Sequence, residues 1–108
     1  MIKIEEKTFR EWMQKNFSEQ ELQDIVDHGV DTGMPSLTYY EDTVFLFETF
    51  KQEIFEALVD DMEDFGYANI YEFLAAFGEQ HMPRSYEMFA NQLTWYMAER
   101  TARELTEE

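Results

Sequence analysis

Apolar residues recur along this chain at steps of three and four, and that period predicts helices almost throughout. Thr8-Phe9-Arg10-Glu11 reads as a capping box, in which a short polar side chain takes a free amide and an acid three residues on bonds back. It opens a segment whose Phe9, Trp12 and Met13 share one face. Ser18-Glu19-Gln20-Glu21 opens a second, with Leu22, Ile25 and Val26 inward and Gly29 as its stop. Gly29, Gly33 and Pro35 then predict a structured loop. A long helix is expected from about Thr38 or Asp42 to Phe65, because Phe47, Phe50, Ile54, Phe55, Leu58, Met62 and Phe65 fall on one face. Val44 to Phe47 is apolar all round, which places the start of that helix in the core. Gly66 ends it. Asn69 with Glu72 caps a short fourth helix that buries Ile70, Phe73, Leu74 and Phe77. Pro83 and Ser85 mark a last turn before a helix from Tyr86 to about Leu105, with Phe89, Leu93, Tyr96 and Met97 inward. The expected fold is all-α: residues 1–108 as one compact domain of about five unequal helices with one long central helix.

Composition sharpens this picture. Ten Phe, six Tyr and two Trp in 108 residues supply a core that acidic disordered chains lack. There is no cysteine, hence no disulfide framework, thiolate metal site or cysteine nucleophile. Ile2 to Glu6 alternate where a secretory signal would be apolar, and Val44 to Phe47 is far short of the ~20 residues that span a bilayer. A cytoplasmic location, away from membranes, is the expectation.

Charge changes the picture most. The net charge is −16, and between Asn16 and Pro83 Lys51 is the only base against sixteen acids. Ordinary solubility needs a net charge of only about 2–8 in magnitude. On the long helix Glu53, Glu56, Asp60, Glu63 and Asp64 recur at helical steps on the side away from Ile54 and Leu58. Glu21, Asp24 and Asp27, with Asp31 beyond the helix end, make a second acidic strip. Such spacing sets neighbouring carboxylates about 5–6 Å apart, close to the separation of consecutive phosphates on a nucleic-acid strand. The plain alternative is a solvated acidic surface. With no basic patch to neutralise phosphates, direct nucleic-acid binding is not expected. A positively charged protein partner is. Tyr39, Tyr40 and Tyr67 lie near the acidic strips and are candidate aromatic contacts; Tyr71, Tyr86 and Trp95 add amphipathic rings that a small core cannot all bury.

Candidate catalytic chemistry is sparse. No nucleophile, base and orienting group converge by spacing, so no catalytic residues, cofactor or metal are expected. Asp61, Glu63, Gly66, Tyr67, Asn69 and Glu72 form a partial calcium-loop frame, but Phe65 at the fifth position offers no side-chain oxygen. Gly66 as a helix stop and Asn69 as a cap explain the same residues. His28 and His81 stand outside any Glu-x-x-His pair, which leaves them as surface or capping side chains.

Phe9-Arg10-Glu11-Trp12-Met13, Asp24-Ile25-Val26-Asp27-His28-Gly29 and the stretch from Gly33 through Tyr39-Tyr40-Glu41-Asp42-Thr43 resemble a family of small phage and prophage proteins, over about half of the chain. In size, acidity and helical content the chain is similar to phage anti-defence proteins, among them anti-CRISPR proteins and DNA-mimicking antirestriction proteins. That resemblance implies an inhibitor whose carboxylates and exposed aromatics occupy the positively charged channel of a CRISPR effector or restriction enzyme. The alternative from the residues alone is a non-enzymatic helical module that binds a protein partner, or itself as a homodimer, through apolar surface.

Overall fold

The computed structural model describes residues 3–29, 40–70, 72–73 and 85–107. Five helices form among them: α1 (Phe9–Asn16), α2 (Glu19–His28), α3 (Tyr40–Thr49), α4 (Lys51–Phe65) and α5 (Tyr86–Thr106). The fold is a compact all-α domain, with no strand among the described residues. Nor is any helix among them long and apolar enough to cross a membrane.

Thr8 Oγ1 accepts the Glu11 amide at 3.1 Å, but the Glu11 carboxylate accepts from the Lys7 amide and not from Thr8, so the expected capping box is half formed. Ser18 and Glu21 close a reciprocal capping box, with Ser18 N–H donating to Glu21 Oε1 at 2.9 Å and Glu21 N–H to Ser18 Oγ at 3.1 Å. Ser85 caps α5 through the Met88 amide. Gly66 stops α4 at φ 76°, in the left-handed region that a side chain would disfavour.

Two features of the architecture differ from the sequence expectation. The helix predicted from 38 or 42 to 65 is two helices. Phe50 leaves helical geometry at φ −112°, ψ 24°, and α4 restarts behind it without a side-chain cap. Phe50 is buried, and its ring meets Phe9 edge-on at 5.6 Å between centroids, so packing against α1 holds the bend. The long central helix is therefore α5, 21 residues, on which α1, α2, α3 and α4 all pack. Ala90, Leu93, Tyr96, Met97, Ala98 and Ala102 are buried, together with Asn91, Gln92, Thr94 and Thr101, so α5 is covered nearly all round. Its alanines let neighbouring backbones approach closely.

The second difference is Phe65, expected inward and found 69% exposed. It is the last residue of α4, where the apolar row runs past the packed core into an open cavity. The other predicted core positions of α1 and α2 pack inward: Phe9, Trp12, Met13, Leu22 and Ile25 are buried, and Val26 is half-buried against them. Leu46 and Phe47 are buried as expected of the apolar start of the long segment. Of the predicted fourth helix, Asn69 Oδ1 accepts the Glu72 amide at 2.9 Å and Phe73 is buried; Leu74 and Phe77 lie outside the described residues.

Candidate partner-binding surface

Because Ile54, Ala57 and Leu58 turn α4's inner face to the core, the geometry of the helix turns Glu56, Asp60, Glu63 and Asp64 outward, and all four are exposed. Glu56 Oε1 accepts from the Gln52 side-chain amide at 3.2 Å, one turn back. Among the described residues no Lys or Arg pairs with any of these four carboxylates.

Glu53 behaves differently. It is half-buried, and both its oxygens accept the Phe9 backbone amide, at 3.1 and 3.2 Å. Phe9 is the first residue of α1, so this carboxylate sits at the positive end of that helix's dipole. Glu53 is a structural anion between α4 and α1, and the open ridge begins at Glu56.

On α2 the same pattern of neutral partners recurs. Asp24 accepts from Gln20 Nε2 at 2.9 Å and Asp27 from Gln23 Nε2 at 3.0 Å, each one turn away. Glu21 is exposed but shared with the capping box. An amide partner fixes a carboxylate's direction without cancelling its charge. The strips on α2 and α4 sit on helices joined chiefly through α5, and no extensive α2–α4 packing lays them side by side. Asp31 and Tyr39 lie outside the described residues, and for Tyr40 only the backbone, at the start of α3, is described. Tyr67 is half-buried with its ring edge-on to Phe73 at 5.4 Å, so one side is already occupied. Tyr86 is 50% exposed, Trp95 packs partly against the core, and Tyr71's side chain is outside the described residues.

The ion pairs form at other acids. Lys3 and Lys15 pair with Glu5, and Lys15 also with Glu6 at 3.1 Å. The hydrogen bond from Lys3, then the Lys15 charge, holds the Glu5 carboxyl below its ordinary value; Glu6 in turn raises Lys15. Arg10 reaches Glu104 at 3.6 Å, and Arg100 bridges Glu104 at 2.8 Å and Asp61 at 3.2 Å. The ion pairs thus lie near the N-terminus and along α5, while Glu56 and Asp60 line a shallow cavity with Arg10 and Arg100 without forming an ion pair to them.

Asp61 belongs to that paired set, and the sequence reading missed it. The Tyr96 hydroxyl and Arg100 Nε both donate to Asp61 Oδ2. Burial first, and then the Asp61 carboxylate, push the Tyr96 phenol far above its ordinary value. For Arg100, burial opposes the charge, and Asp61, Tyr96 and Glu104 together outweigh it, so its value is raised. A signal was present, since Asp61 continues the Ile54–Leu58 stripe and so must face inward. Asp61, Tyr96 and Arg100 line an open cavity of about 380 Å³ with Phe65, Tyr67 and Phe73. As the first position of the partial calcium frame, Asp61 is instead tied to α5, while Gly66 and Asn69 serve as stop and cap. Among the described residues no group of three or more His, Asp or Glu is arranged to hold a metal ion. His28 is exposed in the last turn of α2, and His81 lies outside the described residues.

No curated protein and no solved structure matches the chain. A family model described as a domain of unknown function (DUF7222) does match, over residues 2–108, and the chain belongs to that family.

Proposed function

We propose that this chain is a stoichiometric, non-catalytic inhibitor of a basic nucleic-acid-binding complex in the bacterial cytoplasm, of the anti-CRISPR or antirestriction kind. One observation carries the reading: Glu56, Asp60, Glu63 and Asp64 on α4, with Asp24 and Asp27 on α2, take neutral amides or no side chain as partners, and the ion pairs of the described residues go to other acids. A protein surface built to hold phosphates presents lysines and arginines, which such a row attracts at long range and competes for with the natural ligand. The chain itself binds no nucleic acid in this reading, because like charges repel.

The test is a tagged pull-down from bacterial lysate at low and high salt, with and without competing DNA, read by mass spectrometry. The expected result is capture of a CRISPR effector, a restriction enzyme or another nucleic-acid-binding complex, lost at high salt and to DNA. Joint replacement of Glu56, Asp60, Glu63 and Asp64 by Lys should abolish capture. Undiminished capture by that variant removes the mimicry reading.

A second reading, a helical module that docks through apolar surface, draws on Val59, Phe65 and Tyr86, which are 52%, 69% and 50% exposed. Salt separates the two, since exposed charges are screened beyond ~8 Å at physiological ionic strength and apolar contacts are not.

A further inference from the structure

Four residues apart on α4, Phe55 and Val59 stack one turn above the other. Phe55 is half-buried with its ring edge-on to Phe47 at 5.7 Å, and Val59 is 52% exposed. Together with Gln52, Glu56 and Asp60 they line an open groove of about 630 Å³. Around the helix the order is the buried row of Ile54 and Leu58, then Phe55 and Val59, then Gln52, Glu56 and Glu63, then Asp60. A short apolar stripe of Phe55 and Val59 therefore lies beside Glu56 and Asp60 in this groove.

We propose that this double stripe is the seat of a basic amphipathic helix of a protein partner, with its apolar side on Val59 and Phe55 and its lysines or arginines on Glu56, Asp60 and Glu63. The proposal rests on the acidic-surface reading above and names the chemistry of what that surface holds. Charge complementarity selects the occupant. A second copy would bring carboxylate against carboxylate, and anionic lipid or nucleic acid would be repelled. A helix carries two parallel stripes of its own at the same pitch, so it matches both rows at once. A bare phosphate mimic has no use for Val59. A few desolvated apolar atoms beside a charged rim give a short-range hold that steering charges alone do not.

The experiment uses the full chain and two fluorescent Lys/Leu peptides of identical composition, read by fluorescence anisotropy at physiological salt. One peptide places its leucines on one helical face, and its isomer scatters them. The amphipathic peptide should bind about tenfold more tightly than the isomer. Val59→Ser should erase that preference, whereas Phe65→Ser, at a still more exposed site on another side of α4, should leave it. Circular dichroism checks that both variants stay folded. Equal binding of the two peptides, unaffected by Val59→Ser, overturns the apolar seat and leaves the acidic-surface reading standing. Binding of neither peptide overturns both. Sedimentation of the chain alone adds a last outcome: concentration-dependent dimers lost in Val59→Ser assign the groove to a second copy and overturn the proposal.

Discussion

The carboxylate of Glu53 accepts the backbone amide of Phe9, 44 positions earlier in the chain. It fastens the start of α1 to the first turn of α4 and places a negative charge where the α1 dipole is positive. Glu53→Ala should lower stability by about 1 kcal/mol, a fall of roughly 4–8 °C in Tm for a domain of this size. Glu56→Ala, three residues on and exposed, should stay within about 0.5 kcal/mol. Thermal and urea melts of the two variants make the comparison, and equal melting would deny Glu53 its role. For the same reason, charge reversal aimed at a partner should begin at Glu56.

Salt should stabilise the free protein. At a net charge of −16 self-repulsion opposes the compact state. The ion pairs that screening would weaken are mostly exposed, so little is lost. Raising NaCl from about 0.05 to about 0.5 M shortens the screening length severalfold, and Tm should climb. The variant with Lys at positions 56, 60, 63 and 64 halves the net charge, so at low salt it should melt no lower than the parent and respond less to added salt. A parent Tm that falls with salt would mean that paired charges outweigh the unpaired ones.

Tyr96 sets an alkaline limit. Its folded pKa is raised, by burial and then by Asp61, above the ordinary phenol value of about 10. The folded state therefore holds the proton more tightly than the unfolded state. The associated stability is fully present below about pH 10 and is lost progressively as pH rises beyond it. Tyr96→Phe should cost about 1 kcal/mol at pH 8 through the lost hydrogen bond to Asp61, yet show a shallower decline from pH 9 to 11.5. Denaturant melts across that range decide it; parallel declines in the two proteins would place the alkaline sensitivity elsewhere, for instance at Tyr86, whose phenol is also raised, by desolvation and then Glu48.

Inside the α3–α5 contact, Thr43 Oγ1 donates to Asn91 Oδ1 at 2.8 Å, and Thr94 Oγ1 donates to the Thr43 carbonyl at 3.0 Å. All three residues are buried. Thr43→Val preserves shape and removes a donor in a dry environment, so it should destabilise by about 1–3 kcal/mol. Thr49→Val is the control, an exposed threonine bonded only to a carbonyl of its own helix, and should stay within about 0.5 kcal/mol. Denaturant midpoints compare them, and a neutral Thr43→Val would show that the pair fixes register without adding stability.

What the sequence determined by itself is what depends on near neighbours. Caps at Thr8, Ser18 and Asn69 and stops at Gly29 and Gly66 were legible because a cap joins atoms three or four residues apart. The inner faces of α1 and α2 followed from a 3.6-residue period, as did the outward direction of Glu56, Asp60, Glu63 and Asp64. Tertiary structure decided whatever joins distant positions. The bend at Phe50 depends on Phe9, which no local propensity encodes. Whether Glu53 is free or committed depends on where α1 begins in space, and Asp61 found Tyr96 and Arg100 only once α4 lay on α5. Periodicity tells which way a carboxylate points; only packing tells whether a donor is waiting there, and that separates the acids that hold the fold from those left open to solvent.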